Sequence, residues 1–188
     1  MQTDDDADET LMLRYRDGDA DAFARLYARH KGPLYRYLLR QCGQPATTEE
    51  LFQDIWLKLI AARTGYTMQA RFATWLYRIA HNRLIDHYRA SRRGLPVSYA
   101  GDCPEWVEVP AALEEQPERR DNRYRQAERL LELLAELPEA QREAVLLKEE
   151  RGLSLEEIAQ ATGTGRETVK SRLRYALARL RRGLGDAP

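Results

Sequence analysis

The segment from Ser154 to Leu184 constrains the fold more than any other, because its pattern allows two amphipathic helices and a glycine break between them. Ser154-Leu155-Glu156-Glu157 has the residues of a helix start, and Thr162-Gly163-Thr164-Gly165 has those of a stop. Arg166-Glu167-Thr168-Val169-Lys170-Ser171-Arg172-Leu173-Arg174 opens the second helix. Ser154 with Glu157, and Thr164 with Glu167, fit the capping-box spacing, in which a hydroxyl serves the amide three residues on. Val169, Leu173, Ala176, Leu177, Leu180 and Leu184 recur at helical spacing and predict one buried face. Arg166, Lys170 and Arg174 fall on another, with Ser171 and Arg172 beside them. A short helix, a tight turn and a cationic second helix are the parts of a helix-turn-helix, whose second helix enters the major groove of DNA. The plain alternative is a solvated basic face.

The rest of the chain carries the same period and no two-residue alternation, so an all-α fold is expected. Leu11 to Arg16 predicts a short helix ended by Asp17-Gly18, and Asp19 or Asp21 caps a longer one that runs to Gly43. Gly32-Pro33 lies inside that run as a kink candidate. Thr47 with Glu50 is read as a third capping box, leading a helix through Leu51, Phe52, Ile55, Trp56, Leu59 and Ile60 that Thr64-Gly65 stops. A polar loop follows, and then a helix with Phe72, Trp75, Leu76, Ile79, Ala80, Leu84 and Tyr88 on one face. Opposite that stripe, Arg71, Arg78, Asn82, Arg89 and Arg93 share a side with almost no compensating acid. Residues 94–122 hold four prolines and two glycines without a period and read as a flexible linker. A helix resumes near 123, Pro138 starts another, and Gly152 closes it.

These boundaries divide the 188 residues into an acidic tail (1–10), a helical bundle (11–93), the linker (94–122) and a four-helix unit (123–188). The two helical units are expected to fold separately. The formal net charge is +0, from 30 cationic and 30 acidic residues, but the two signs are segregated. Basic stretches at 71–93 and 166–182 flank an acidic one at 101–118, which predicts two contacts with a polyanion. Cys42 and Cys103 are far apart and lack metal-ligand or redox spacing, so free thiols of a cytoplasmic protein are expected, without metal or cofactor. No run is long and apolar enough to predict a membrane span. His30, His81 and His87 are dispersed and share no nucleophile–base spacing, which argues against an enzyme and a small-molecule substrate. A dimeric repressor or a response-regulator output domain would use the same C-terminal helix pair. It would not need the second basic helix with its adjoining polar loop.

Three strings, in order, resemble the extracytoplasmic-function (ECF, group IV) sigma factors of the sigma-70 family. Phe72-Ala73-Thr74-Trp75-Leu76-Tyr77-Arg78-Ile79-Ala80-His81-Asn82 is similar to the helix of regions 2.3–2.4. Leu137-Pro138-Glu139-Ala140-Gln141-Arg142-Glu143-Ala144-Val145 resembles the start of region 4, and Thr168-Val169-Lys170-Ser171-Arg172-Leu173 its recognition helix. The resemblance implies a region 2 bundle and a region 4 helix-turn-helix domain. It also implies binding to core RNA polymerase, at the β′ clamp helices and the β flap, and to promoter DNA. Control by an anti-sigma factor, in some cases membrane-bound, is implied too.

The implied roles fall on individual residues. Leu51 to Lys58 matches the clamp-docking helix of region 2.2, with Gln53, Asp54 and Lys58 as polar contacts. The loop Thr64–Ala70 matches the loop that captures a base flipped from the −10 element, which makes Tyr66, Thr67, Met68 and Gln69 candidates. Arg71, Trp75, Arg78, Asn82 and Arg89 on the next helix are implied to hold the −10 strand. Arg166, Thr168, Lys170, Ser171, Arg172 and Arg174 are implied to read the −35 element. The loop departs from the family pattern: Tyr66-Thr67-Met68-Gln69 stands where a glycine–acid pair is common.

Overall fold

The computed structural model describes residues 6–91 and 117–185, with the side chains of the second segment from 125 onward. Eight α-helices and no strand occur among the described residues: α1 (Asp8–Arg16), α2 (Ala20–Cys42), α3 (Pro45–Ala62), α4 (Phe72–Ser91), α5 (Pro117–Ala135), α6 (Glu139–Val145), α7 (Leu155–Thr162) and α8 (Arg166–Gly185). A 3-10 turn, Arg63–Gly65, ends α3, and a π-helical turn, Leu146–Glu150, extends α6.

Local chemistry accounts for most of the boundaries. The Asp19 carboxylate accepts from the amides of Asp21 and Ala22 and starts α2, and Gly43, at φ 70°, ends it. Pro33 is accommodated without a break, so the candidate kink does not divide α2. Ser154 and Glu157 form the reciprocal capping box at α7, and Gly163, at φ 63°, turns the chain into α8. The other two boxes are corrected. α3 starts on Pro45, its Thr48 hydroxyl donates to the Gln44 carbonyl, and Glu50 pairs with Arg83. Glu167 turns its carboxylate to Arg166 and Lys170 rather than back to Thr164.

Two further boundaries move. α1 takes in Asp8 and Glu9, which the sequence reading assigns to an acidic tail. α5 begins at Pro117, inside the span read as linker, because a first-turn proline and charged helix formers need no apolar period. Residues 1–5, the linker from 94 to 116, Arg93 and Cys103 lie outside the described residues.

The first core centres on Leu34, Tyr35, Leu38, Leu51, Ile55, Leu59, Phe72 and Leu76. An aromatic cluster joins α2 to α3, with Trp56 edge-on to Phe23 at 5.8 Å and to Tyr27 at 4.9 Å between ring centroids. The second core is built from Leu134, Leu146, Leu147, Ile158, Val169 and Ala176. The two units also pack on each other, α7 against α4 and α6 against α2. At the centre of that seam Glu143, 7% exposed, accepts from the fully buried Tyr37 hydroxyl at 2.8 Å and meets His81 Nδ1 at 2.9 Å. No local pattern in the sequence marks this shared face, because its polar partners lie 62 and 106 residues apart.

Candidate nucleic-acid interface

The loop from Thr64 to Ala70 crosses the end of α3 and delivers the chain to α4. Thr67, Met68 and Gln69 are exposed at its tip. Tyr66 differs from its neighbours: its ring is 3% exposed and packs edge-on to Trp75 at 4.9 Å. Burial, followed by the charges of Glu9 and Asp8, pushes its hydroxyl up to about 12. Tyr66 therefore anchors the loop, and Thr67, Met68 and Gln69 are the side chains it presents to solvent.

Behind the tip lies a cavity of about 380 Å³, lined by Thr67, Gln69, Thr74, Trp75, Arg78 and Gln160 among others. Its chemistry suits a nucleobase, with an aromatic wall for stacking, amide and hydroxyl groups for base edges, and a guanidinium for phosphate. Thr74 is the residue the sequence reading omits. Its buried hydroxyl lines the cavity and lacks a protein partner among the described residues, although a helical threonine ordinarily satisfies itself on the preceding turn. Thr74 lies three residues after Arg71 and four before Arg78, at the edge of the cationic face, and only the cavity singles it out.

Arg78, Asn82 and Arg89 share one exposed face of α4, as their spacing predicts, and Arg71, exposed, immediately precedes the helix. Arg71 is engaged by Glu157 of α7 at 3.5 Å, and Gln160 of α7 closes the rim of the cavity. A strand entering the cavity must displace α7 or pass beside it.

On α8, Arg166, Lys170 and Arg174 are exposed along one side at four-residue spacing, whereas Thr168 is exposed on the opposite side and Ser171 is half-buried. Arg166 is already paired with Glu156 and Glu167, and Lys170 lies 3.7 Å from Glu167. The Arg174 guanidinium sits over the Tyr175 ring at 4.9 Å and donates to its hydroxyl at 3.2 Å. Arg172 is set apart from this face. It is half-buried and lines a cleft with His81, Tyr88 and Glu139, so it turns toward the other unit.

The outer face of α3 presents Gln53, Leu57 and Lys58, with Leu57 62% exposed, an apolar residue free to meet a partner. Asp54 is not the free acid its position suggests, because Arg83 Nε of α4 donates to it at 2.7 Å. Among the described residues no cluster of His, Cys, Asp or Glu is arranged to hold a metal ion, and no helix is long and apolar enough to cross a membrane.

Residues 26–94 match the family model Sigma-70 region 2, and residues 127–180 match Sigma-70, region 4. The chain is 34% identical over 175 residues to the RNA polymerase sigma factor CarQ of Myxococcus xanthus, covering 93% of this chain and 96% of CarQ. It is 35% identical over 179 residues to the ECF RNA polymerase sigma factor RpoE of Cereibacter sphaeroides, covering 91% of each. The ECF RNA polymerase sigma factor BldN of Streptomyces coelicolor is 33% identical over 94% of this chain, which spans 65% of BldN. Among solved structures, CnrH in complex with the cytosolic domain of CnrY superposes with a TM-score of 0.69 at 23% identity, covering 97% of this chain and 100% of CnrH. RpoE of Bartonella quintana, in complex with the anti-sigma factor NepR, gives 0.67 at 23% identity over 88% of this chain and 98% of that one.

Proposed function

The chain belongs to the sigma-70 family of RNA polymerase sigma factors, in the two-region form of its ECF members, and from that premise we propose how its surfaces divide the work. It is an alternative sigma factor that binds core RNA polymerase in the cytoplasm and directs promoter-specific initiation, with no catalytic centre of its own. The loop tip Thr67–Gln69 selects a flipped −10 base, which enters the cavity beside Trp75 and Thr74. Arg71, Arg78, Asn82 and Arg89 hold the strand, and Lys170 and Arg174, with Arg166, Thr168 and Ser171, read the −35 element. Gln53, Leu57 and Lys58 dock on the β′ clamp helices, and region 4 meets the β flap. An anti-sigma factor that keeps α7 on α4 would hold the −10 surface covered; the complexes of CnrH and of the Bartonella RpoE support that class of partner.

The observation that carries the reading is the cavity, placed between an exposed polar loop and a cationic helix. The test is run-off transcription with purified core polymerase on promoters varied separately at −10 and −35. Transcription that depends on the added chain and on both elements supports the reading. A chain that fails to co-migrate with core polymerase would exclude it.

A further inference from the structure

Helix α1 lies outside the region 2 match, which begins at residue 26, yet three of its side chains grip the segment that carries the base-reading loop. The Glu9 carboxylate accepts from the Phe72 amide at 2.6 Å. That amide is the first of α4, and no intrahelical acceptor exists for it. Arg71 precedes it and has no short acceptor side chain to serve as a cap, so the helix borrows a carboxylate from 63 residues away. Arg16 Nη1 donates to the Tyr66 carbonyl at 3.4 Å, at the other end of the loop. Tyr15, one residue before it, lies under the Arg63 guanidinium at 5.5 Å, in the 3-10 turn that launches the loop.

Glu9 and Arg16 are two helical turns apart and so share a face of α1, about 10 Å from one another along the axis. They hold the two ends of a loop whose tip, Thr67–Gln69, is exposed and unsupported by secondary structure. α1 is itself fixed from outside the loop. Asp8 is bonded to His30 Nε2 at 2.7 Å and to Arg29 at 2.8 Å, and the His30 ring lies 4.9 Å from that of Phe72.

We infer that α1 is a positioning element for −10 recognition: Glu9 and Arg16 clamp the ends of the loop, so that its tip presents one conformation to the flipped base. The inference rests on the assignment of base selection to that loop. Glu9 and Arg16 touch no DNA. Their effect is on discrimination, since a loop freed at either end samples conformations that accept other bases.

The experiment uses the full chain with core polymerase on two templates, identical at −35 and differing in the −10 base. Permanganate reactivity of unpaired thymines is the readout. Glu9→Ala is expected to lower the ratio of matched to altered opening about tenfold, the equilibrium factor of a weak charge-assisted hydrogen bond. Glu9→Gln, which keeps an acceptor oxygen, is expected to retain most of the ratio, and Arg16→Ala to lower it about threefold, its bond being longer. A merely structural role would reduce opening on both templates alike and leave the ratio unchanged, and that result overturns the proposal. If Glu9→Ala does not fold, Arg16→Ala decides by the same ratio. Exchange of Thr67-Met68-Gln69 on the same templates separates the two readings. A switched preference together with α1 variants of unchanged ratio removes the clamp alone, whereas an unswitched preference removes the loop assignment and the clamp with it.

Discussion

Replacing Glu143 with alanine is expected to loosen the seam between the two helical units before it unfolds either. Glu143 accepts from the Tyr37 hydroxyl at 2.8 Å, and Tyr37 has no solvent exposure with which to compensate. A stranded buried donor costs about 1–3 kcal/mol. The bond from His81 Nδ1 is lost as well, at about 1 kcal/mol for a half-buried partner, so the change totals roughly 2–4 kcal/mol. That is a shift of about 30- to 1,000-fold in the equilibrium between packed and separated units. Small-angle scattering should show a larger radius of gyration, and hydrogen exchange should accelerate on the facing sides of α4 and α7. A double-mutant cycle with Tyr37→Phe isolates the pair, with an expected coupling of about 1–3 kcal/mol. If the two substitutions are additive and the radius of gyration is unchanged, Glu143 does not hold the seam and the reasoning fails.

Three other outcomes follow from the same geometry. Burial raises the Asp8 carboxyl, but bonds from His30 and Arg29 together outweigh it and leave the group below its ordinary value of 3.8. Its stabilising effect is therefore present above that value and lost as pH falls through the lower folded one, so α1 protection in hydrogen exchange should drop below about pH 4, a dependence absent in Asp8→Asn. Burial pushes the Cys42 thiol up to about 12, so in a Cys103→Ser chain no thiol should react rapidly at pH 8 until denaturant is added; fast labelling of the native protein would contradict this. Lys170→Ala is expected to cost about 1–3 kcal/mol in −35 binding if the amine reaches a base edge, and Arg166→Ala less, because Glu156 and Glu167 already neutralise it; equal losses in a gel-shift titration would count against that ranking.

The parts of the fold legible in the sequence are those fixed by neighbours in the chain. Asp19, Gly43, the Ser154–Glu157 box and Gly163 mark boundaries because their partners lie within four residues. The cationic faces of α4 and α8 were legible for the same reason, helical spacing being a local property. Thr47 misled because a proline at 45 had already started the helix one residue after Gln44. The surroundings of Arg172 and Asp54 are not legible in the sequence, because each is set by another element, the cleft beside α4 for one and Arg83 for the other. Glu9 could have been found only by asking what caps α4, since Arg71 cannot. No local pattern connects Glu143 to Tyr37.

The seam also orders the two recognition surfaces. The acids that face region 2 across it, Glu143, Glu150 and Glu157, recur every seven residues, and they meet Tyr37 and His81, Arg40, and Arg71 in turn. One movement that lifts α6 and α7 thus breaks all of these contacts and uncovers Arg71 and the cavity together. The outer side of α8 needs no such movement, because Lys170 and Arg174 are exposed while the units are packed. On the proposed assignments, a duplex can reach the −35 surface of the packed form, whereas a flipped base reaches its cavity freely only once α7 has left α4. On those assignments, separating the units controls melting more directly than −35 contact, and a partner that binds both units at once has the geometry to hold the proposed −10 surface shut.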